Sequence, residues 1–399
     1  MIFRIIRYSL FLFLFLGPVV AMAVDVDKDG LSDSVEAALG SSDLHKDIFV
    51  EIDWLVVNGK SFKPRAGFDQ IVTAIFAAAP VNNPDGTTGI RIHISYSNAI
   101  VANVPVLGYK NPNGNYVWDD FDVVKSLYFT PSRWSTHHYC LFVKDYGDEF
   151  GAATGSSGLS RNGSSFAAGA SDFIVALGGS GWYNYPKKKY FKWTQAGTFA
   201  HELGHNLGLR HGGGDHSNYK PNLLSIMNYS FQTDGIPYTA FDGTYYRVYD
   251  YSTTLLPALP EGNLNEGKGL GPKVSDAYGV YGTTWYSWNG SDYDTLTTYN
   301  AKGVVDWNNN GFSNSGVFED INQDGKYKTL RGKNQWAKLT FTGGYVGGGV
   351  SATAVPRETS LDCLTFKEHA LRSKNLNVDT PRITMKELIE KFRKATEKK

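Results

Sequence analysis

The eleven residues His201-Glu202-Leu203-Gly204-His205-Asn206-Leu207-Gly208-Leu209-Arg210-His211 restrict the fold more than any other stretch of the chain. The helical spacing from Thr194 to Leu209 puts His201 and His205 four residues apart, so both imidazoles leave one face and reach one metal ion. Glu202 lies beside them without being needed as a ligand. Gly208 can take a backbone conformation closed to residues with a Cβ, which ends the helix and turns the chain back toward the ion. That turn brings His211 to the same site. Three neutral imidazoles leave a fourth coordination position for water, the arrangement of a catalytic zinc site rather than a closed structural one.

These residues match the metzincin pattern H-E-x-x-H-x-x-G-x-x-H at every specified position. Downstream, Ser225-Ile226-Met227-Asn228-Tyr229 resembles the methionine turn of that family, with Met227 placed 16 residues after His211. The chain thus resembles a metzincin zinc metallopeptidase, without a subfamily, because Gly212-Gly213-Gly214 follows His211. The resemblance implies one catalytic zinc held by His201, His205 and His211, with Glu202 as general base and proton carrier to the leaving amine. It implies Met227 as a hydrophobic floor. It also implies Tyr229, similar to the tyrosine that astacin-like and serralysin-like members place near zinc, as a resting ligand or oxyanion donor. Asp215 and His216 are read as part of a solvated loop.

The fold class expected is α/β (α+β): a metzincin-like catalytic domain with a twisted mixed sheet, an active-site helix and a methionine turn, plus a loop-rich C-terminal region. Strands are expected over Asp47–Val57, Ile90–Tyr96, His138–Lys144 and Asp172–Leu177, with helices over Phe68–Ala79 and Phe121–Tyr128. The Gly, Ser and Ala-rich stretch from Gly147 to Gly169 reads as a loop or irregular edge.

At the start, Arg4 and Arg7 precede an apolar run from Tyr8 to Val20 and the small-residue site Ala21-Met22-Ala23, the pattern of a cleaved secretory signal. The run is too short to span a membrane, so a soluble secreted protein is expected, with a periplasm or cell surface as alternatives. Directly after it, Asp25, Asp27, Asp29, Leu31, Asp33 and Glu36 occupy positions 1, 3, 5, 7, 9 and 12 of a calcium loop, with Gly30 at the sharp turn. Calcium is therefore the second cofactor expected. Residues 24–46 contain no cysteine, so latency through a cysteine ahead of the catalytic strands is not expected. Cys140 and Cys363 are the only two cysteines; they are compatible with one bridge or with two separate thiols.

Two later segments, Asp306-Trp-Asn308-Asn-Asn310-Gly311 and Asp320-Ile-Asn322-Gln-Asp324-Gly325, repeat the oxygen-ligand spacing of positions 1, 3 and 5. Val317 and Arg331 stand where the closing glutamate belongs, so calcium and plain Asn/Gly turns both fit. Aromatic residues crowd Ile236 to Tyr293, where ordinary packing is expected ahead of a substrate cleft or a glycan-binding surface. In the tail, Thr384 and Glu387 form a capping box before the helical face Met385, Leu388, Ile389 and Phe392. The domains expected are a signal at 1–23, a calcium-loop segment at 24–46, the catalytic domain at 47–298, an Asp/Asn/Gly-rich region at 299–350 and a tail at 351–399.

Lys plus Arg and Asp plus Glu balance at 39 each, so no basic field points to nucleic acid, and 42% hydrophobic residues exclude a disordered chain. Protein or peptide substrates are the partners implied by the resemblance; oligomeric state is left open. The function expected is a secreted zinc endopeptidase. A calcium-dependent extracellular adhesion or binding protein with an inactive zinc site, and a zinc amidase acting on cell-wall substrates, are the alternatives.

Overall fold

The computed structural model describes residues 24–102, 106–107, 109–110, 116–148, 151–161, 170–179, 181–182, 188–347, 361–372 and 379–397. The signal segment 1–23 and part of the 147–169 stretch lie outside the described residues.

The strands β1 (Asp47–Val57), β2 (Arg91–Ala102), β3 (His137–Phe142), β4 (Gly158–Ser160) and β5 (Asp172–Val175) form one mixed sheet in the order β2-β1-β3-β5-β4. All neighbours are parallel except β4, which runs antiparallel to β5. β1 and β3 are buried along nearly their whole length, as strands covered on both faces must be, with Asp47, Glu51 and Asp53 of β1 buried among the apolar residues. Alternation decides the faces of β1: Ile48, Val50, Ile52 and Trp54 enter one core, Leu55 and Val57 the other.

Helix α1 (Asp33–Leu39) precedes the sheet, and α2 (Phe68–Ala77), α3 (Asp119–Tyr128) and α4 (Phe191–Asn206) cover it. α2 and α4 pack together on the face of Val50 and Ile52, whereas Phe121 of α3 lies in the core of the opposite face. The layers are thus helix, sheet, helix. The α3 side carries buried charge held by ion pairs and, at Asp53, by hydrogen bonds from Tyr139 and Asn98. Asp172 takes Lys125 at 2.5 Å and Arg161 at 3.0 Å, and Glu51 takes Arg133 at 2.7 Å.

A second sheet consists of β6 (Ile236–Ala240), β7 (Tyr245–Tyr249) and β8 (Gly279–Tyr281), with β6 in the middle. The C-terminal region is interleaved with what precedes it. β9 (Leu361–Asp362) adds to the edge of the first sheet beside β4, and β10 (Arg382–Thr384) adds to the second beside β7. Helix α6 (Met385–Thr396) starts with the expected capping box between Thr384 and Glu387, and Leu388 is fully buried. No helix among the described residues is long and apolar enough to cross a membrane.

Elements were legible more readily than their ends. β2 continues to Ala102 because it follows β1 past a register shift between Ile52 and Trp54. α4 begins at Phe191 and stops at Asn206, three residues ahead of Leu209, because Gly208 already lies at φ 83°.

Phe199 of α4 meets Phe68 and Phe173 edge-on, each at 5.2 Å between ring centroids, and is fully buried. Phe199→Ala should lower the unfolding free energy by about 3–5 kcal/mol in denaturant titration. A loss below about 1 kcal/mol would contradict this packing of the active-site helix on the sheet.

Candidate active site

The end of α4 builds the site. Gly208 N–H donates to the His205 carbonyl at 3.0 Å and Leu209 N–H to the Gly204 carbonyl at 2.8 Å, the paired bonds of a Schellman turn with glycine in the left-handed position. The turn places the Leu209 carbonyl 2.9 Å from His205 Nδ1 and carries His211 back over the helix. Beneath the helix, the Ile226 carbonyl of the methionine turn lies 2.8 Å from His201 Nδ1. Asn228 holds that turn from within, its amide donating to the carbonyls of Lys220 and Leu223. Met227 is fully buried in the core below the helix.

The three Nε2 atoms converge: His201 to His205 is 3.1 Å, His201 to His211 3.2 Å and His205 to His211 2.9 Å. The carbonyl partners of His201 and His205 assign the proton of each to Nδ1, leaving bare lone pairs on Nε2. Burial pushes all three imidazoles below their ordinary pKa, His205 to about 4, with neighbouring histidines adding to the effect on His201 and His211. Neutral lone pairs facing one another repel unless a cation lies between them. Tetrahedral zinc with nitrogen ligands at 2.0–2.1 Å requires nitrogens about 3.3 Å apart, close to the spacing seen. The residues fit the ion.

Glu202 is fully buried with no hydrogen-bond partner on either carboxylate oxygen among the described residues, and burial pushes its carboxyl well above the usual range. A dication beside it would favour the ionised carboxylate and lower its pKa again. Its Oε1 lies against Gly158 of β4, where a Cβ would collide with it and with the Ile174 carbonyl. Gly158 was not anticipated from the sequence; a glycine inside a strand was its one signal. The Tyr229 ring lies 4.4 Å from His211 and 5.7 Å from His201 between centroids. Burial, then the neighbouring Cys363, Tyr219 and Glu202, hold its hydroxyl protonated.

Asp215 belongs to the loop rather than to the site, paired with Lys220 at 2.7 Å. Cys140 and Cys363 are both buried and share no disulfide. Cys140 lies in the core of the first sheet, whereas Cys363 joins the histidines: its sulfur and one nitrogen of each of His201, His205 and His211 lie within 4.8 Å of one another.

At the N-terminal loop, Asp25, Asp27 and Asp29 come together, and Asp29 also meets Glu36 and Asp47. Asp33 stands apart from these groups and accepts a hydrogen bond from Val26 N–H at 3.1 Å. Asp47, the first residue of β1, takes part although the loop spacing gave no sign of it. Both Glu36 oxygens, Asp27 Oδ2 and Asp47 Oδ2 are buried without a hydrogen-bond partner. Burial first and neighbouring carboxylates next push Glu36 up to about 8 and Asp27 to about 7; burial chiefly pushes Asp29 to about 6.

In the later loops the side chains accept backbone N–H groups, as Asp25, Asp27 and Asp29 do in the N-terminal loop. Asp306 accepts from Asn310 and Gly311 N–H, and Asp320 from Asp324 and Gly325 N–H. Asn308 Oδ1 accepts from Asn310 N–H and Asn310 Oδ1 from Phe312 N–H, while Asn322 donates to the Asn218 carbonyl. Asp324 pairs with Lys328 at 2.5 Å, a fixed cation at that loop. Among the described residues, the metal-type groups of three or more acid, histidine or cysteine side chains lie elsewhere.

Gly158→Ala should leave zinc content unchanged and lower turnover on the order of 100-fold by displacing the Glu202 carboxylate. Metal analysis beside peptide cleavage checks this, and unchanged turnover would contradict the contact.

Residues 133–212 match the family described as Metallo-peptidase family M12B Reprolysin-like, a span that includes β3, β5, α4 and all three histidines. No curated protein matches the chain. The family match over residues 133–212 and the three-histidine cluster together are those of a metzincin-type, zinc-dependent metallopeptidase domain, of no assigned subfamily.

Proposed function

We propose that the chain is a secreted zinc endopeptidase whose N-terminal loop is stabilised by calcium. The convergence of three imidazole Nε2 atoms next to a buried glutamate carries the catalytic part of the reading. When bound, zinc supplies the Lewis acid that polarises a peptide carbonyl and makes a water nucleophilic near neutral pH. The chain's residues supply the rest. Glu202 accepts the proton of the attacking water at a carboxylate oxygen and delivers it to the leaving nitrogen. The protonated Tyr229 hydroxyl donates a hydrogen bond to the developing oxyanion. An adhesion protein would have no use for a glutamate buried beside the histidines, and no observation favours a cell-wall amide over a peptide.

Calcium rests on the N-terminal acids. Hard oxygen donors, several of them buried without a partner, suit a hard dication. Export rests on the leader-like sequence of residues 1–23.

Glu202→Gln should retain zinc and lose activity by about 100-fold or more in cleavage of a denatured protein mixture. Tyr229→Phe should lower kcat with little change in KM; a pure KM effect would remove the oxyanion role. Full activity of Glu202→Gln would overturn the peptidase mechanism.

For the loop, the folded pKa values of Asp27, Asp29 and Glu36 lie above those of unfolded acids, so the calcium-free folded chain binds more protons. Its stability should therefore fall as pH rises from about 4 to 8. Calcium reverses this, binding more tightly as these acids ionise. Calorimetry should show Glu36→Gln and Asp47→Asn each weakening calcium binding by about tenfold or more, with Asp33→Asn near neutral. Equal loss in all three variants would contradict the ligand set.

A further inference from the structure

The fourth coordination position of a catalytic zinc site must be open to water and substrate. Here a thiol stands beside it. Cys363 Sγ joins the three imidazoles in one group of four donor atoms, each on a buried residue. Four such donors are the set of a closed tetrahedral site.

The backbone around Cys363 occupies the neighbouring strand edge. Leu361 pairs with Ser160 and Asp362 with Leu159, antiparallel. Ser157 N–H donates to the Leu364 carbonyl at 3.0 Å and Phe366 N–H to the Gly155 carbonyl at 2.8 Å, while Ser156 Oγ donates to the Cys363 carbonyl at 3.1 Å. Residues 361–366 thus run along 155–160 as an added strand, the way an extended peptide binds a sheet edge. Cys363 falls opposite Gly158, the residue against which Glu202 packs.

Side chains anchor the segment on its far side. Phe366 meets Trp182 edge-on at 5.3 Å, and the His369 ring of helix α5 (Phe366–Arg372) stacks on the same indole at 5.3 Å. His369 also lies 3.5 Å from Asp234, which Arg382 holds at 3.1 Å. Arg372 lies 3.6 Å over the Tyr219 ring. With this segment in place His201, Glu202, His205 and His211 are 0–6% exposed, too little for a polypeptide substrate to reach them.

Resting on the peptidase reading, we propose that Cys363 is the fourth ligand of the zinc centre and that residues 361–366 lie on β4 as a built-in substrate mimic, holding the full chain latent. Sulfur binds the ion as thiolate, and its proton is released to solvent as the metal binds. The zinc–sulfur bond is the clasp that keeps the segment on the β4 edge, so loss of the sulfur frees the fourth position and lets the strand leave that edge. This differs from a cysteine ahead of the catalytic strands: the thiol arrives from the carboxyl-terminal side, 152 residues after His211.

The test uses the full chain loaded with one equivalent of cobalt(II) or zinc. The cobalt form should show a thiolate-to-cobalt charge-transfer band that Cys363→Ala lacks. Iodoacetamide should label Cys363, located by peptide mass, about tenfold or more faster once 1,10-phenanthroline removes zinc. This measurement needs no variant and stands even if Cys363→Ala folds poorly. Zinc-loaded Cys363→Ala should cleave a denatured protein mixture about tenfold or more faster than the unmodified chain, with Glu202→Gln/Cys363→Ala inactive. Absence of the band together with metal-independent labelling would overturn the ligand assignment while leaving the peptidase reading intact. A thiolate band with equal cleavage by the unmodified chain and Cys363→Ala would overturn the latency. A thiolate band with no cleavage by either would support the ligand and overturn the peptidase reading instead.

Discussion

Three imidazoles bring their Nε2 atoms to one point in a dry pocket, a donor set that one dication satisfies, and much of the architecture serves to hold them there. Placing two of them needs a helix, and fixing their tautomers needs carbonyls beneath that helix. The Leu209 carbonyl comes from the turn that ends α4, and the Ile226 carbonyl from the methionine turn. The third imidazole needs the chain to reverse within three residues of the helix end, which Gly208 at φ 83° permits. Burial is the common condition, because it keeps the imidazoles neutral and excludes competing water.

The same requirement explains the sheet. α4 is buried along almost all of its length, so it must be packed on both sides. Phe199 and Leu203 meet the core formed with β1, β3 and β5, and Tyr251 O–H donates to the Ala200 carbonyl. At the end of the helix, Asn206 donates to Ser160 Oγ and to the carbonyls of Arg161 and Asp172, joining α4 to β4 and β5. The edge strand β4 is thereby held next to the zinc ligands, which makes that edge a natural place for an extended chain to lie.

Spacing within one element was legible in the sequence, and convergence between distant elements was not. His201, His205, Gly208 and His211 could be assigned because helix geometry and one glycine fix their relation. β1 and α3 could be read from alternation and apolar spacing. Asp47 was missed because its role depends on β1 starting beside a loop eleven residues upstream, a relation no local pattern records. Cys363 was missed for the same reason: strand addition between residues 361 and 160 brings it to the site, and its own neighbours in sequence give no sign of this. Gly158 matters only because Glu202 lies against it. Conversely, the D-x-N-x-[DN]-G spacing at 306 and 320 was legible and yet ambiguous, since the same residue types make turns by accepting backbone N–H groups.

Zinc K-edge absorption on the zinc-loaded full chain tests the centre most directly. The account predicts three nitrogen ligands at about 2.0–2.1 Å and one sulfur at about 2.3 Å. A first shell of light atoms alone would contradict the closed centre formed with Cys363, and a chain that binds no zinc at all would contradict the site itself.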